Sequence, residues 1–346
     1  MKEHTNTRIF NFIKIIVSLS YMYIMTDIFL DENTEILEED ILTILYDFNK
    51  FKFVLLSMIF GAWAYVNRGL RWTVLIDALG YKSSKLNSVS SVSVGYFTNF
   101  FIPRAGEIAR CTALNRVEKI PVDKLFGTIL VERVIDFIFL IFFILLAIIL
   151  KSGDIFRAYQ AYLIAPESEP SDLKYWVCGF IISIIFIVFL FRNKIKHTQF
   201  YKKIPDFIKG IKEGFKSIKK MKQKSVFWFH TFSIWIMYFL MTYICFQVIP
   251  ETSHLTISDG LFLLVLGGIG MVLPAPGGIG TYHFFVMIGL IALTIDNGFF
   301  SLKYNSHNPA LLFPFIVHFA QTAVSFIMGI SGMLMLFLSK KKIENE

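Results

Sequence analysis

The chain has 346 residues, of which 55% are hydrophobic and 17% are charged, with a formal net charge of +8 and a mean hydropathy of +0.59. This fraction of charged residues is too small to cover a surface exposed to water. The composition therefore excludes a water-soluble globular enzyme and indicates a lipid bilayer as the solvent. Three scattered cysteines also exclude a disulfide framework or a cysteine-rich zinc site.

Apolar stretches long enough to cross a bilayer recur along the chain. A hydrocarbon core of about 30 Å requires about 20 apolar residues in a helix. The sequence predicts six spans, at residues 9–30, 50–67, 125–150, 175–192, 225–249 and 310–338. Because no small-residue cleavage site follows the first span, we expect it to be uncleaved.

The charged segments between the spans predict the topology. Residues 192–224 hold twelve Lys or Arg against two acids, whereas residues 27–40 hold seven acids and no base. Cytoplasmic loops are enriched in Lys and Arg, so the basic loop and both chain termini are predicted to be cytoplasmic. An anionic inner leaflet is the expected partner of this loop, and its charge then requires no nucleic acid.

Two further apolar regions, 84–120 and 259–296, are interrupted by helix-breaking residues. A complete crossing by the first would place the basic loop outside, so we expect a re-entrant hairpin from the cytoplasmic side. The second is either a re-entrant hairpin or two complete spans. The order span, span, hairpin, span then occurs in both residues 1–150 and residues 151–346, with opposite orientation. We therefore predict an all-α polytopic membrane protein with about six spans, two broken hairpins and an inverted-topology repeat around a cavity.

Three charged residues, Glu132, Arg133 and Asp136, lie inside the third predicted span. Charges at such positions are costly without partners and are a functional-site hypothesis. Arg133 is expected to pair with Asp136 at i+3. The two carboxylates share a helix face and need a further cation, which Arg104 or Arg110 can supply. The network binds a ligand, clamps the hairpin to the helix, or does both.

The first break supplies Asn99, Arg104, Glu107 and Arg110. Guanidinium groups hold phosphate through paired hydrogen-bond donors, and an interrupted helix adds free backbone amides. This chemistry suits an anionic lipid headgroup.

The second break contains Gly277, Gly278 and Gly280, followed by a helix expected to begin near Thr281. The N-terminus of such a helix favours an anion. His283 in its first turn either titrates, binds a phosphate or packs against neighbouring helices. A nucleotide-binding loop is not indicated, because no β-strand precedes the glycines and no GKS or GKT follows them.

Several short motifs occur in a characteristic order. They are Arg68-Gly-Leu-Arg71-Trp72, Gly95 with Asn99, Pro103-Arg104-Ala-Gly106-Glu107 with Arg110, Glu132-Arg133-Val-Ile-Asp136, and Pro276-Gly277-Gly278-Ile-Gly280. In this order they resemble the lysylphosphatidylglycerol synthase transmembrane-region family, a flippase-like, UPF0104-type family, over nearly all the chain. Members called multiple peptide resistance factors add a soluble aminoacyltransferase domain, which we expect this protein to lack. The resemblance therefore implies lipid translocation and not lipid synthesis.

The leading hypothesis is a lipid translocase of a bacterial-type cytoplasmic (inner) membrane. It would move an anionic or amino-modified phospholipid, or a polyprenyl-phosphate-linked lipid, between leaflets. The expected substrate-binding residues are Asn99, Arg104, Glu107, Arg110, Glu132, Arg133, Asp136, Gly277, Gly278, Gly280 and His283, with Arg68 and Arg71 near the headgroup on the cytoplasmic side. No cofactor or metal is expected. Family members often carry an acid near the position of His283. Because this chain has a histidine there, the resemblance does not imply that it shares their proton or cation coupling.

The sequence is compatible with two alternatives. One is an intramembrane enzyme, or an accessory subunit, for glycosyl or aminoacyl transfer from a lipid-linked donor, although no DxD motif or nucleophile–base pair is recognisable. The other is a non-transporting scaffold for envelope-biosynthesis enzymes. Because no catalytic motif is present, we do not expect an enzyme.

Overall fold

The computed structural model describes residues 41–164, 221–273, 275–293 and 309–345, with side chains up to residues 153 and 341 in the first and last of these ranges. The predicted spans 9–30 and 175–192 and most of the basic loop 192–224 lie outside the described residues. A helical segment at residues 41–46 precedes the first long helix. The helices that follow are α1 (Phe48–Ala78), α2 (Lys85–Phe101), α3 (Gly106–Glu118), α4 (Val122–Ile164), α5 (Lys224–Tyr243), α6 (Ile257–Val272), α7 (Thr281–Leu293) and α8 (Pro309–Asn345).

Five stretches of the described chain are long and apolar enough to cross a membrane. They are Phe48–Ala78, Val122–Gly153, Lys224–Gln247, Pro276–Leu293 and Pro309–Lys341. The predicted spans 50–67, 125–150, 225–249 and 310–338 correspond to four of them. The prediction of an all-α polytopic membrane protein is confirmed.

Helix α2, a four-residue break and helix α3 form the first hairpin, as predicted for residues 84–120. At 1.5 Å per residue, the 17 residues of α2 extend about 26 Å, less than the hydrocarbon core. The Asn99 side-chain oxygen accepts the Gly106 N–H at 2.7 Å, which satisfies a free amide at the start of α3. Gly95 and Gly106 bring the two backbones together, because a Cβ added at Gly95 would lie 2.7 Å from the Gly106 carbonyl oxygen.

Helices α6 and α7 form the second hairpin. A capping box starts α6, in which Thr256 and Asp259 satisfy each other's backbone amides. After α6 ends at Val272, a short 3-10 turn at Pro276–Gly278 leads into α7. Gly277 adopts a φ of 57°, a left-handed conformation that glycine accepts without strain.

Two buried apolar clusters hold the helices together. One joins the 3-10 turn after α5 (Ile244–Gln247) to α6, α7 and α8 around residues such as Phe246, Leu263 and Phe313. The other joins α1, α3 and α4 around Trp72 and Leu114. In the second cluster the Trp72 indole N–H donates to the Thr128 hydroxyl at 2.7 Å, so the ring is fixed next to the charged residues of α4.

Candidate functional site

Helices α1, α3 and α4 bring five charged side chains into one buried cluster. Their exposed side-chain fractions are 7% for Arg68, 0% for Arg71, 4% for Arg110, 0% for Glu132 and 12% for Asp136. We call this set the charged cluster. Buried charges are stable only when they are paired and hydrogen-bonded, so the pairs define the site.

Asp136 binds both arginines of α1. Arg71 Nη1 donates to Asp136 Oδ1 at 2.7 Å and Arg71 Nη2 donates to Asp136 Oδ2 at 3.2 Å, so the ion pair is bidentate. Arg68 Nη1 donates to Asp136 Oδ2 at 3.0 Å. Arg68 and Arg71 are three residues apart on one face of α1, so both reach the same carboxylate of α4.

Glu132 lies one turn before Asp136 and pairs with α3. Its Oε2 accepts a hydrogen bond from Arg110 Nη2. Its Oε1 lies 3.5 Å from Arg71 Nε, an ion pair in which neither atom has a hydrogen-bond partner. Of the two cations considered from the sequence for the carboxylates of α4, Arg110 is therefore the one that reaches them.

The expected i+3 pair of Arg133 with Asp136 is replaced by a different one. Arg133 Nη2 lies 3.1 Å from Glu107 Oε1 on α3, and the guanidiniums of Arg68 and Arg71 take the oxygens of Asp136. Adjacent residues of a helix are about 100° apart, so Arg133 points towards Glu107 while Glu132 points into the charged cluster.

A small cleft of about 10 Å³, roughly the space of one water molecule, lies between the first hairpin and α4. It is lined by Val92, Gly95, Tyr96, Asn99, Gly106, Glu107, Arg110 and Arg133. The side chains of Arg133 and Glu107 are 44% and 26% exposed here, whereas Arg110 is buried and its Nε has no hydrogen-bond partner. Arg110 thus belongs both to the lining of the cleft and to the charged cluster.

The charged cluster carries excess positive charge. Three guanidiniums face two carboxylates, and the Arg133–Glu107 pair adds no net charge. One positive charge therefore remains. Arg68 is also held by two aromatic residues, because its Nε donates to the Tyr238 hydroxyl at 2.7 Å and its guanidinium lies 5.7 Å from the Tyr96 ring centre.

Arg104 lies outside the charged cluster, at the tip of the first hairpin. It is exposed and has a φ of 64°. Its Nη2 donates to the Val272 carbonyl oxygen, at the C-terminal end of α6, at 3.1 Å. The Phe100 ring lies so close to Gly277 that an added Cβ would approach it to 2.6 Å. The tips of the two hairpins are therefore in direct contact.

The glycine turn of the second hairpin is closed by its own hydrogen bonds. The Gly280 N–H donates to His283 Nδ1 at 3.2 Å, and the Gly278 N–H donates to the Ala275 carbonyl. His318 Nε2 lies 2.9 Å from the Gly277 carbonyl oxygen, so it donates there in the Nε2–H tautomer. Apart from Arg104, the residues expected from sequence thus fall into two groups, the charged cluster with its cleft and the glycine turn. The contact between the hairpin tips joins them.

Comparison with known sequences identifies the family. The family described as lysylphosphatidylglycerol synthase TM region matches residues 11–300. The chain belongs to this family.

Two relatives are archaeal members of the UPF0104 membrane proteins. One, from Methanocaldococcus jannaschii, is 26% identical over 274 residues, which cover 70% of this chain and 76% of the relative. The other, from Methanothermobacter thermautotrophicus, is 25% identical over 236 residues, which cover 61% of this chain and 67% of the relative. No solved structure matches this family member significantly.

Some residues of the site carry no signal in the sequence. Tyr238 is an ordinary aromatic residue of an apolar span, and only the packing of α5 on α1 brings it to Arg68. Outside the site, Lys151 and Asp259 form a buried ion pair that joins α4 to the start of α6. Asp259 is detectable as the acid of a capping box, but its partner is 108 positions away and follows only from the fold.

A metal site is not indicated in the parts of this family member that the structure describes. No group of three or more His, Cys, Asp or Glu side chains able to hold a metal ion occurs there. The carboxylates of α4 are instead engaged by guanidinium groups.

Proposed function

We propose that the protein moves a lipid with an anionic headgroup between the leaflets of a cytoplasmic membrane and leaves the lipid chemically unchanged. The observation that carries the proposal is the charged cluster of Arg68, Arg71, Arg110, Glu132 and Asp136. It is buried between the short helix α3 and the helices α1 and α4, which are long enough to span a membrane, and it has one positive charge in excess. The bilayer lipid is the partner in this proposal, and both chain termini are cytoplasmic on the sequence-based charge argument.

Excess positive charge inside a membrane protein favours an anionic ligand. In a medium of low dielectric constant an uncompensated charge is costly, and a ligand of opposite charge lowers that cost. The lipid phosphate is the anion available at the mouth of the cleft, where the Glu107–Arg133 pair is partly exposed. Charged residues at membrane depth commonly mark the path of a transported group.

The contact between the hairpin tips supports a gate. Arg104 donates to a neutral carbonyl, that of Val272, and a phosphate oxygen is a stronger acceptor for a guanidinium than a carbonyl is. A headgroup that reaches Arg104 competes with Val272 and weakens the contact. In this mechanism the hairpins separate when an anionic headgroup arrives and close again when it leaves.

Leaflet exchange in proteoliposomes tests the proposal. Fluorescent lipids with anionic and zwitterionic headgroups are reconstituted with the wild-type protein, and we expect faster exchange of the anionic lipid. Chromatography of the recovered lipids is expected to show them unaltered. Equal exchange of all headgroups, no exchange above that of empty vesicles, or a chemically modified lipid would contradict the proposal.

Replacing Arg104 by alanine is expected to reduce headgroup selectivity about tenfold. A hydrogen bond to a charged group contributes about 1.5–3 kcal/mol. Its loss weakens the contact between the hairpin tips, so the gate opens more easily for every lipid. The measurement is the ratio of anionic to zwitterionic exchange rates. Arg116→Ala is the matched control, since Arg116 is an exposed arginine on the same hairpin. An unchanged ratio of exchange rates in Arg104→Ala would show that Arg104 does not take part in the gate.

A further inference from the structure

We infer that the cleft selects a headgroup with a single negative charge, a phosphodiester, over a phosphomonoester with two charges, and that Glu107 sets this limit. The inference rests on the proposed function and specifies its substrate class. It follows from the number of charges around the cleft, from an unpartnered donor of a residue that lines it and from two exposed apolar residues next to it in the chain.

The cleft and the charged cluster together hold four guanidiniums and three carboxylates. The guanidiniums belong to Arg68, Arg71, Arg110 and Arg133, and the carboxylates to Glu107, Glu132 and Asp136. The net charge is one positive. A monoanion makes the occupied site neutral. A dianion gains about twice the Coulomb attraction but has about four times the desolvation cost, because that cost rises with the square of the charge, and it leaves one buried negative charge.

The structure indicates where the phosphate binds. Arg110 lines the cleft, is 3% exposed, and its Nε–H has no acceptor. Its Nη2 is already bound to Glu132. The Gly106 amide is not available, because Asn99 accepts its hydrogen bond. Two donors of residues that line the cleft are therefore available to a phosphate, the Nε–H of Arg110 and the exposed part of the Arg133 guanidinium.

Glu107 determines how much of Arg133 the ligand can use. It is the carboxylate 3.1 Å from Arg133, and both side chains are partly exposed, so neither is fixed by burial. Removing the charge of Glu107 raises the net charge of the site to two and releases the Arg133 guanidinium. Such a site matches a dianion and becomes too positive for a monoanion to neutralise.

Exposed apolar residues of the first hairpin favour a lipid as the source of the phosphate. Ile108 follows Glu107 directly and is 61% exposed, and Ile102 in the break is 59% exposed. Apolar side chains next to a polar cleft suit acyl chains below a headgroup, whereas a soluble phosphate compound gains nothing from them.

Binding to the purified protein in detergent tests the inference without any transport step. The probes are phosphatidylglycerol and phosphatidate with identical acyl chains, at about pH 8, where a phosphomonoester carries two negative charges. Affinity is read from the ligand-induced rise in the unfolding temperature. We expect the wild type to bind phosphatidylglycerol about tenfold more tightly than phosphatidate. Glu107→Gln is expected to reverse or abolish that preference.

The matched control is Asp123→Asn, which removes one exposed carboxylate near the start of α4 and outside the cleft. We expect it to keep the wild-type preference. Equal loss of preference in both variants, or an unchanged preference in Glu107→Gln, would overturn the inference. Glycerophosphoglycerol and glycerol 3-phosphate form the soluble arm, and binding as tight as that of the lipids would overturn the assignment to a lipid. Selective binding without leaflet exchange would contradict the proposed translocation alone.

Discussion

Replacing Glu132 by glutamine is expected to destabilise the folded protein by about 3–5 kcal/mol, the usual cost of removing one partner of a buried ion pair. Glu132 is fully buried and its carboxylate faces Arg110 and Arg71. Glutamine has nearly the same volume, so packing is conserved and the change is electrostatic. The Arg110 guanidinium loses its carboxylate, while Arg71 retains Asp136. The measurement is reversible unfolding in mixed micelles, followed by tryptophan fluorescence.

A double-mutant cycle separates the loss of the ion pair from general damage. Arg110→Gln alone leaves Glu132 with one fewer cation, and we expect a cost of similar size. In the double variant, Arg110→Gln with Glu132→Gln, both charges are absent and neither residue leaves a charged partner behind. The combined cost should therefore be smaller than the sum of the two single costs. A coupling of about 1–3 kcal/mol is expected for groups in direct contact. Strictly additive costs would show that the two side chains do not stabilise each other.

Replacing Gly106 by alanine is expected to destabilise the first hairpin by about 1–3 kcal/mol or more, the range for forcing extra atoms into a packed site. An added Cβ would lie 2.6 Å from the Asn99 side-chain nitrogen and still closer to the Gly95 carbonyl oxygen. Both neighbours are held in place, one by its hydrogen bond to Gly106 and the other as backbone. Hydrogen exchange of the peptide covering residues 95–106 is expected to become faster.

Gly127→Ala is the matched control for this prediction. Gly127 lies on an exposed part of α4, and a Cβ added there would meet no atom within 4 Å. Because alanine is a better helix former than glycine, we expect this variant to be more stable by about 0.5–1 kcal/mol. The same substitution then has opposite signs at the two positions. Equal effects would mean that the close approach of α2 and α3 does not limit the side chain at Gly106.

The sequence was sufficient for the coarse architecture of the described residues. The length of apolar runs predicted the spans of α1, α4, α5 and α8, because a bilayer imposes a minimum helix length. Clustered breakers such as Pro103 and Gly106 predicted the first hairpin, since neither residue is compatible with a regular helix interior there. The charged residues of α4 were identified as a site because isolated charges are costly at membrane depth.

The pairing of those charges was not predictable from spacing along one helix. The i+3 rule suggested Arg133 with Asp136, but the approach of α1 supplied two guanidiniums to Asp136 and that of α3 supplied Glu107 to Arg133. Partners on other helices depend on crossing angles and rotations that no local pattern encodes. The contact of Arg104 with Val272 was not predictable either. Its acceptor is a backbone carbonyl, which any residue type supplies.

Helix α4 has a buried charge pair near each end of its apolar stretch. Glu132 binds Arg110 at one end and Lys151 binds Asp259 at the other, and no charged residue occurs from position 137 to position 150. Glu132 and Lys151 are 19 positions apart, which corresponds to about 28 Å along the helix and is close to the thickness of a hydrocarbon core. A large tilt of α4 would draw one pair towards the centre of the bilayer. In a thinner or thicker membrane, the lipid around α4 is therefore expected to change its thickness while the helix keeps its angle.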